Sequence, residues 1–220
     1  MTFITTISVG DCVIVAADRA TFHVNGSAST RSDQEVKKIR ETPGGFITGN
    51  GIAELLEPVK DRFVSEDPKD LAAMIQIIES EQSEYLFRQD YSDLATKWVA
   101  QTSWKLSMAW RMDDRTSIIA ASYDYTIRSV IAANVGVPFL TFPSDVTLDE
   151  NAHVRLMLER GQLTSSDAPS TLAMLYHNVH LILDVVGLLR RRGRAISERI
   201  DFAIHTMESR LQFDDLEFLS

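Results

Sequence analysis

The first eighteen residues constrain the fold more than any other stretch. Residues 2–9, TFITTISV, are rich in β-branched types, and Gly10-Asp11 separates them from CVIVAAD at 12–18. Gly-Asp between two such runs predicts a two-residue hairpin turn of type I′ or II′, because those turns match the twist of the flanking strands. The second run is apolar at successive positions, not alternating ones. A strand with two apolar faces needs a packed layer on each side. The chain must therefore build a sheet with a layer above it and a layer below.

The order of the remaining elements sharpens this. A polar stretch from Phe22 to Asp33 reads as a loop, and a second hairpin joins 35–41 to 45–49 across Thr42-Pro43-Gly44. Helical periodicity follows over 52–64 and about 69–100, with Leu71, Met74, Ile75 and Ile78 along one face of the second stretch. Pro58 is expected to kink or restart the first helix, and Asp67-Pro68 to open the second. Strands return at 105–112, 115–122 and 126–133, with a turn at Asp113-Asp114. Helices over about 149–160 and 169–192 precede a last strand at 199–206. Blocks of strands separated by pairs of helices predict an α+β fold, a four-layer αββα sandwich of two antiparallel sheets, with residues 1–220 as one domain.

Charge and composition exclude several classes. The net charge of −9 argues against nucleic-acid binding, which needs a basic face for the phosphates. The run Arg190-Arg191-Arg192-Gly193-Arg194 reads as a cationic helix end followed by a glycine stop. The longest apolar stretch, Leu172 to Leu189, is interrupted by Tyr176, His177, Asn178, His180 and Asp184, so no membrane span is expected. The N-terminus lacks the basic and apolar regions of a signal peptide, and the single cysteine, Cys12, sits in an apolar run. Both point to a reducing, cytoplasmic setting. His177 and His180 share a helix face without a third ligand at sensible spacing, so neither a metal nor a cofactor is expected.

With these residues in view, the first 55 positions resemble the start of proteasome β subunits and of the HslV-type peptidase, the N-terminal-nucleophile (Ntn) hydrolases. The likeness rests on Thr2, the run Val13-Ile14-Val15-Ala16-Ala17-Asp18, then Arg19-Ala20-Thr21, Lys37-Lys38-Ile39, and Gly49-Asn50-Gly51-Ile52-Ala53-Glu54. Asp18 follows Thr2 by the sixteen positions of that family. The resemblance implies the following roles. Thr2 is the nucleophile once Met1 is removed, with its own α-amine as base. Lys38 is the electrostatic activator and Asp18 its orienter. Backbone N–H groups of Gly49, Asn50 or Gly51 form the oxyanion hole. It further implies self-assembly into a ring or double ring, peptide or unfolded-protein substrates, and an ATP-dependent unfoldase partner.

Physical chemistry explains the grouping. A threonine hydroxyl needs a base, and a free α-amine, with a pKa of roughly 7.7–8.0, serves near neutral pH. A nearby ammonium favours the deprotonated hydroxyl, and a carboxylate holds that ammonium in place. Helix-start N–H groups suit an oxyanion. Each residue also has a plainer reading: Thr2 is a common second residue, Asp18 suits a strand end, and one of Lys37 and Lys38 must face solvent if the segment is a strand.

The chain departs from the family in its second half. The Asp18-to-Lys38 interval is 20 residues because of the long 22–33 stretch. The family's Gly-Ser-Gly turn is replaced by Ala133-Asn134-Val135-Gly136. Its late Asp, followed three residues on by Ser, finds Asp184 with Gly187 as the match. Two alternatives to a threonine peptidase follow: an inactive Ntn-fold structural subunit, or an Ntn amidase acting on a small molecule.

Overall fold

The computed structural model describes residues 2–25, 28–112 and 114–217. Met1, whose removal the Thr2 chemistry requires, and Asp113 of the expected turn lie outside the described residues. The chain runs β1 (Ile4–Ser8), β2 (Val13–Asp18), β3 (Ala20–Asn25), β4 (Ala28–Glu35), β5 (Arg40–Thr42), β6 (Gly45–Asn50), α1 (Ala53–Glu66), α2 (Leu71–Arg88) and α3 (Asp93–Gln101). It continues with β7 (Ser103–Met112), β8 (Arg115–Asp124), β9 (Ser129–Ala132), β10 (Phe139–Thr141), α4 (Leu148–Gly161), α5 (Thr171–Arg191), β11 (Arg199–His205) and β12 (Arg210–Glu217).

Two five-stranded antiparallel sheets stack face to face, in the orders β10-β1-β2-β11-β12 and β5-β6-β7-β8-β9. Their packing explains the doubly apolar β2. Ile14 and Ala16 join Phe3, Ile7 and Phe202 in a core closed by Val154, Leu158, Val185 and Leu189 of α4 and α5. Val13, Val15 and Ala17 turn the other way and meet Ile4, Phe46, Ile118 and Ala120 between the sheets. On the far side, Ile47, Trp104 and Leu106 pack under Leu55, Val59 and Ile78 of the α1–α3 layer. The result is the expected αββα sandwich. The hairpin turn takes its II′ form: Gly10 has φ +74, and Asp11 is not in the left-handed region.

Several boundaries differ from the sequence reading. Much of the polar 22–33 stretch belongs to the β3–β4 ribbon, a two-stranded sheet of its own. Its second strand, ASTRSDQE, has no apolar alternation to betray it. The expected strand at 35–41 is reduced to β5, because residues 36–39 leave the ladder and carry Lys38 and Ile39 inward. The helix over 69–100 is two helices, broken where Asp90 and Tyr91 adopt left-handed φ of 50° and 51° and Ser92 caps the next start. Pro58 does not interrupt α1. Strands β10 and β12 were not legible, one being three residues long and the other largely polar.

Helix α5 is, among the described residues, the one helix long and apolar enough by composition to cross a membrane. Here its buried stripe of Ile182, Val185, Val186 and Leu189 seals the first sheet, and Asn178 bonds the backbone carbonyls of Leu163 and Met174. Cys12 is buried in the same core, where desolvation and the neighbouring Asp11 push its thiol pKa up. That makes it an unreactive apolar residue.

Candidate active site

Side chains of β1 alternate between the two cores, so Thr2 shares the inter-sheet side with Ile4. Asp18 ends the neighbouring β2, and the irregular 36–39 segment brings Lys38 to the same point. The three side chains meet in a desolvated cluster, with Thr2 at 4%, Asp18 at 0% and Lys38 at 8% exposure. The Thr2 hydroxyl donates to Asp18 Oδ1 and accepts from Lys38 Nζ. Lys38 Nζ also donates to Asp18 Oδ1 at 2.8 Å and to the Ala20 carbonyl at 2.6 Å. Asp18 accepts in addition from the backbone N–H of Phe3 and of Ser197, each at 3.2 Å.

Burial lowers the pKa of Lys38, while the Asp18 charge opposes that shift; the nearby Lys60 ammonium on α1 adds a smaller lowering. Lys37, the other member of the pair, is exposed and bridges to Asp214.

The next residue along the chain anchors this corner. Arg19 grips Asp201 of β11 through Nε and Nη2, at 2.9 and 2.7 Å, and also pairs with Asp215. These bonds hold its pKa above the usual value. Ser197 donates its hydroxyl to Glu35, tying the approach to β11 to the end of β4.

The glycine turn lies at the same end of the sandwich, where β6 gives way to α1. A Cβ on Gly49 would stand 2.6 Å from the Ser103 carbonyl oxygen, and Gly51 has φ +141 with Thr102 packed against it. Ile52 at the helix N-cap offers no side-chain acceptor. The Leu55 N–H turns back to the Ile52 carbonyl at 3.2 Å, and no side chain caps the N–H groups of Ala53 and Glu54 before it, which suits an anion. The Asn50 carboxamide oxygen accepts from Ser103 Oγ at 2.6 Å and from Thr141 Oγ1 at 3.4 Å. Both hydroxyls take hydrogen bonds from the buried Lys105.

Asp184 is not part of this assembly. The buried stripe of α5 leaves it on the exposed face. The serine that does reach Asp18 is Ser197, through its backbone N–H and not its hydroxyl, and the residue three positions before it is Arg194, which pairs with Glu150 at 2.9 Å. Ser197, Asp201 and Lys105 were all missed by the sequence reading. His177 and His180 each bond a backbone carbonyl, of Gly161 and Tyr176, and among the described residues no three potential metal ligands cluster. A cavity of about 370 Å³, lined in part by Pro43, Met108, His205 and Arg210, lies at the opposite end of the strands.

The two stacked antiparallel sheets with helices outside form the αββα sandwich of the Ntn-hydrolase fold. Among solved structures the chain is similar to an Anbu (Gly-1) mutant from Hyphomicrobium sp. strain MC1, with a TM-score of 0.64 and 11% identity, covering 97% of this chain and 87% of that one. At that identity the likeness is one of fold. No family model matches the sequence, and comparison with curated proteins found no relative.

Proposed function

We propose that this chain is an N-terminal threonine peptidase subunit of a ring-shaped homo-oligomer, with Thr2 as nucleophile after removal of Met1. The observation that carries the reading is the buried contact of the Thr2 hydroxyl with both Asp18 and Lys38. Thr2 Oγ adds to the carbonyl carbon of the scissile amide as its proton passes to the freed α-amine of Thr2. The ammonium so formed returns the proton to the leaving nitrogen, the C–N bond breaks, and an ester on Thr2 remains. Water then adds to the ester, gives a proton through the same amine to Thr2 Oγ, and releases the acid. Lys38 favours negative charge on Thr2 Oγ, Asp18 keeps Lys38 charged, and N–H groups of the Gly49–Gly51 turn receive the oxyanion.

Self-assembly is supported by apolar side chains left exposed on α4 and α5, among them Leu148, Leu156, Leu172 and Tyr176. Peptide substrates, an unfoldase partner and a cytoplasmic setting belong to the same proposal.

Intact mass of the protein from its native host tests the first requirement. Loss of the Met1 mass is expected, and full retention would sink the peptidase reading. Labelling by a peptide epoxyketone, which reacts with an adjacent amine and hydroxyl, should be abolished by Thr2→Ala. A second reading, a non-catalytic subunit, is favoured by Asp184, the aspartate that the resemblance implies, lying on the exposed face of α5 away from the cluster, and by Arg194 preceding Ser197 by three positions. It predicts assembly without labelling.

A further inference from the structure

Lys105 is the group that the chemistry above leaves unused. It lies on β7 between Trp104 and Leu106, which pack under the helices, so its side chain points the other way, between the sheets. It is 4% exposed. Among the described residues its ammonium meets hydroxyls only, those of Thr141 and Ser103, and no carboxylate. The facing elements present Thr48 from β6, Ser122 from β8 and Thr141 from β10, while Asp18 at the end of β2 is engaged by Lys38. A buried ammonium without a counter-charge is costly and seldom accidental.

The hydrogen bonds around it have a direction. An ammonium only donates, so Thr141 and Ser103 accept from Lys105 and pass their own protons to Asn50 Oδ1. That fixes the carboxamide with its oxygen inward and Nδ2 outward. Asn50 is half-buried, and its Nδ2 makes no hydrogen bond among the described residues. Thr141 pairs with Ile4 at the start of β1, two residues beyond Thr2 and on the same side of the chain. Strand rise and spacing place Thr2 about 8 Å from Thr141, the span an acyl group would occupy.

We infer that Lys105 is a positioning residue that orients and polarises the Asn50 carboxamide, so that Asn50 Nδ2 donates to the carbonyl oxygen attacked by Thr2. This rests on the peptidase reading and adds a side-chain donor to the backbone donors of the glycine turn. Polarisation along such a chain strengthens its last donor. Burial lowers the Lys105 pKa to about 8, so the charge that drives the relay is present at neutral pH and lost in mild alkali.

The test is the rate of Thr2 modification by a peptide epoxyketone, followed by intact mass, in wild type, Asn50→Ala, Lys105→Met, Thr141→Val and the Asn50→Ala/Lys105→Met double variant. Asn50→Ala should slow modification about 100-fold, the scale of a lost oxyanion donor. Lys105→Met should slow it about tenfold, and Thr141→Val, which keeps its shape, severalfold. The double variant should be no slower than Asn50→Ala alone, because the two act in series. The ratio of wild-type to Lys105→Met rates should be largest below about pH 8 and shrink above it. Wild-type rates in Lys105→Met and Thr141→Val, or a double variant slowed by the product of the single effects, overturn the relay alone. Thr141→Val decides the matter if Lys105→Met does not fold. Absence of any wild-type modification overturns the peptidase reading and this inference with it.

Discussion

Lys38 Nζ and Asp18 Oδ1 are 2.8 Å apart at the end of β2, and both side chains are sealed from solvent. Each makes the other's burial tolerable, since desolvation lowers the lysine pKa and the Asp18 charge opposes that shift. Asp18→Ala leaves the Lys38 charge unmatched and should cost about 3–5 kcal/mol of stability. Asp18→Ala combined with Lys38→Met should recover most of that loss, because no charge then remains buried. Urea denaturation of the three proteins measures both steps. Equal stabilities of the single and double variants would contradict the pairing.

Arg19 and Asp201 make the second buried pair at this corner. Asp201 is fully buried and accepts from two guanidinium nitrogens, so Asp201→Ala should destabilise by about 3 kcal/mol, the low end for a broken buried pair, because Asp215 still reaches Arg19. The chain step from Arg19 to Asp18 is a single residue. Epoxyketone modification of Thr2 should therefore slow in the same variant, even though neither partner touches the threonine.

Gly49 has no room for a side chain. A methyl there would meet the Ser103 carbonyl oxygen at 2.6 Å and Leu56 Cδ2 at 2.7 Å, and the first of these is backbone that cannot swing away. Gly49→Ala should cost about 1–3 kcal/mol by overpacking and displace the turn that follows, lowering the Thr2 modification rate more than tenfold. Gly193→Ala is the control. Its Cβ meets nothing, but φ +76 imposes a cost of about 1 kcal/mol at the end of α5, with no change in that rate.

The first half of the site was legible because its signals are local. Gly10-Asp11 announces a tight turn, β2 shows two apolar faces, and Thr2, Asp18 and Lys38 fall within the first 38 positions. What escaped notice depends on contacts between distant segments. Ser197 and Asp201 acquire their roles only when β11 pairs with β2, and nothing in the polar neighbourhood of Ser197 marks it beforehand. Lys105 was hidden differently. In SWKLSMAWRM it falls on the polar parity of an amphipathic strand, where a lysine ordinarily faces water; only the stacking of the other sheet buries it. Asp184 matches the family's late aspartate in sequence alone, and its helix buries the opposite face.

Lys105 also makes stability depend on pH in a way that can be computed in sign. Its unfolded value is near 10.5 and its folded value about 8, so between those limits the unfolded chain binds the proton and the folded one does not. Stability must therefore rise with pH across that window and be lowest, for this group, below pH 8. A shift of that size corresponds to about 3 kcal/mol. Lys105→Met carries no proton in either state and lacks the term. The stability of wild type relative to Lys105→Met should thus increase by about 3 kcal/mol between pH 8 and pH 10.5 and be flat from pH 6 to pH 7.5. Parallel urea titrations across that range provide the measurement. A difference that does not change with pH would show that Lys105 keeps an ordinary pKa, and so is not the buried, unmatched charge that its neighbours Ser103 and Thr141 imply.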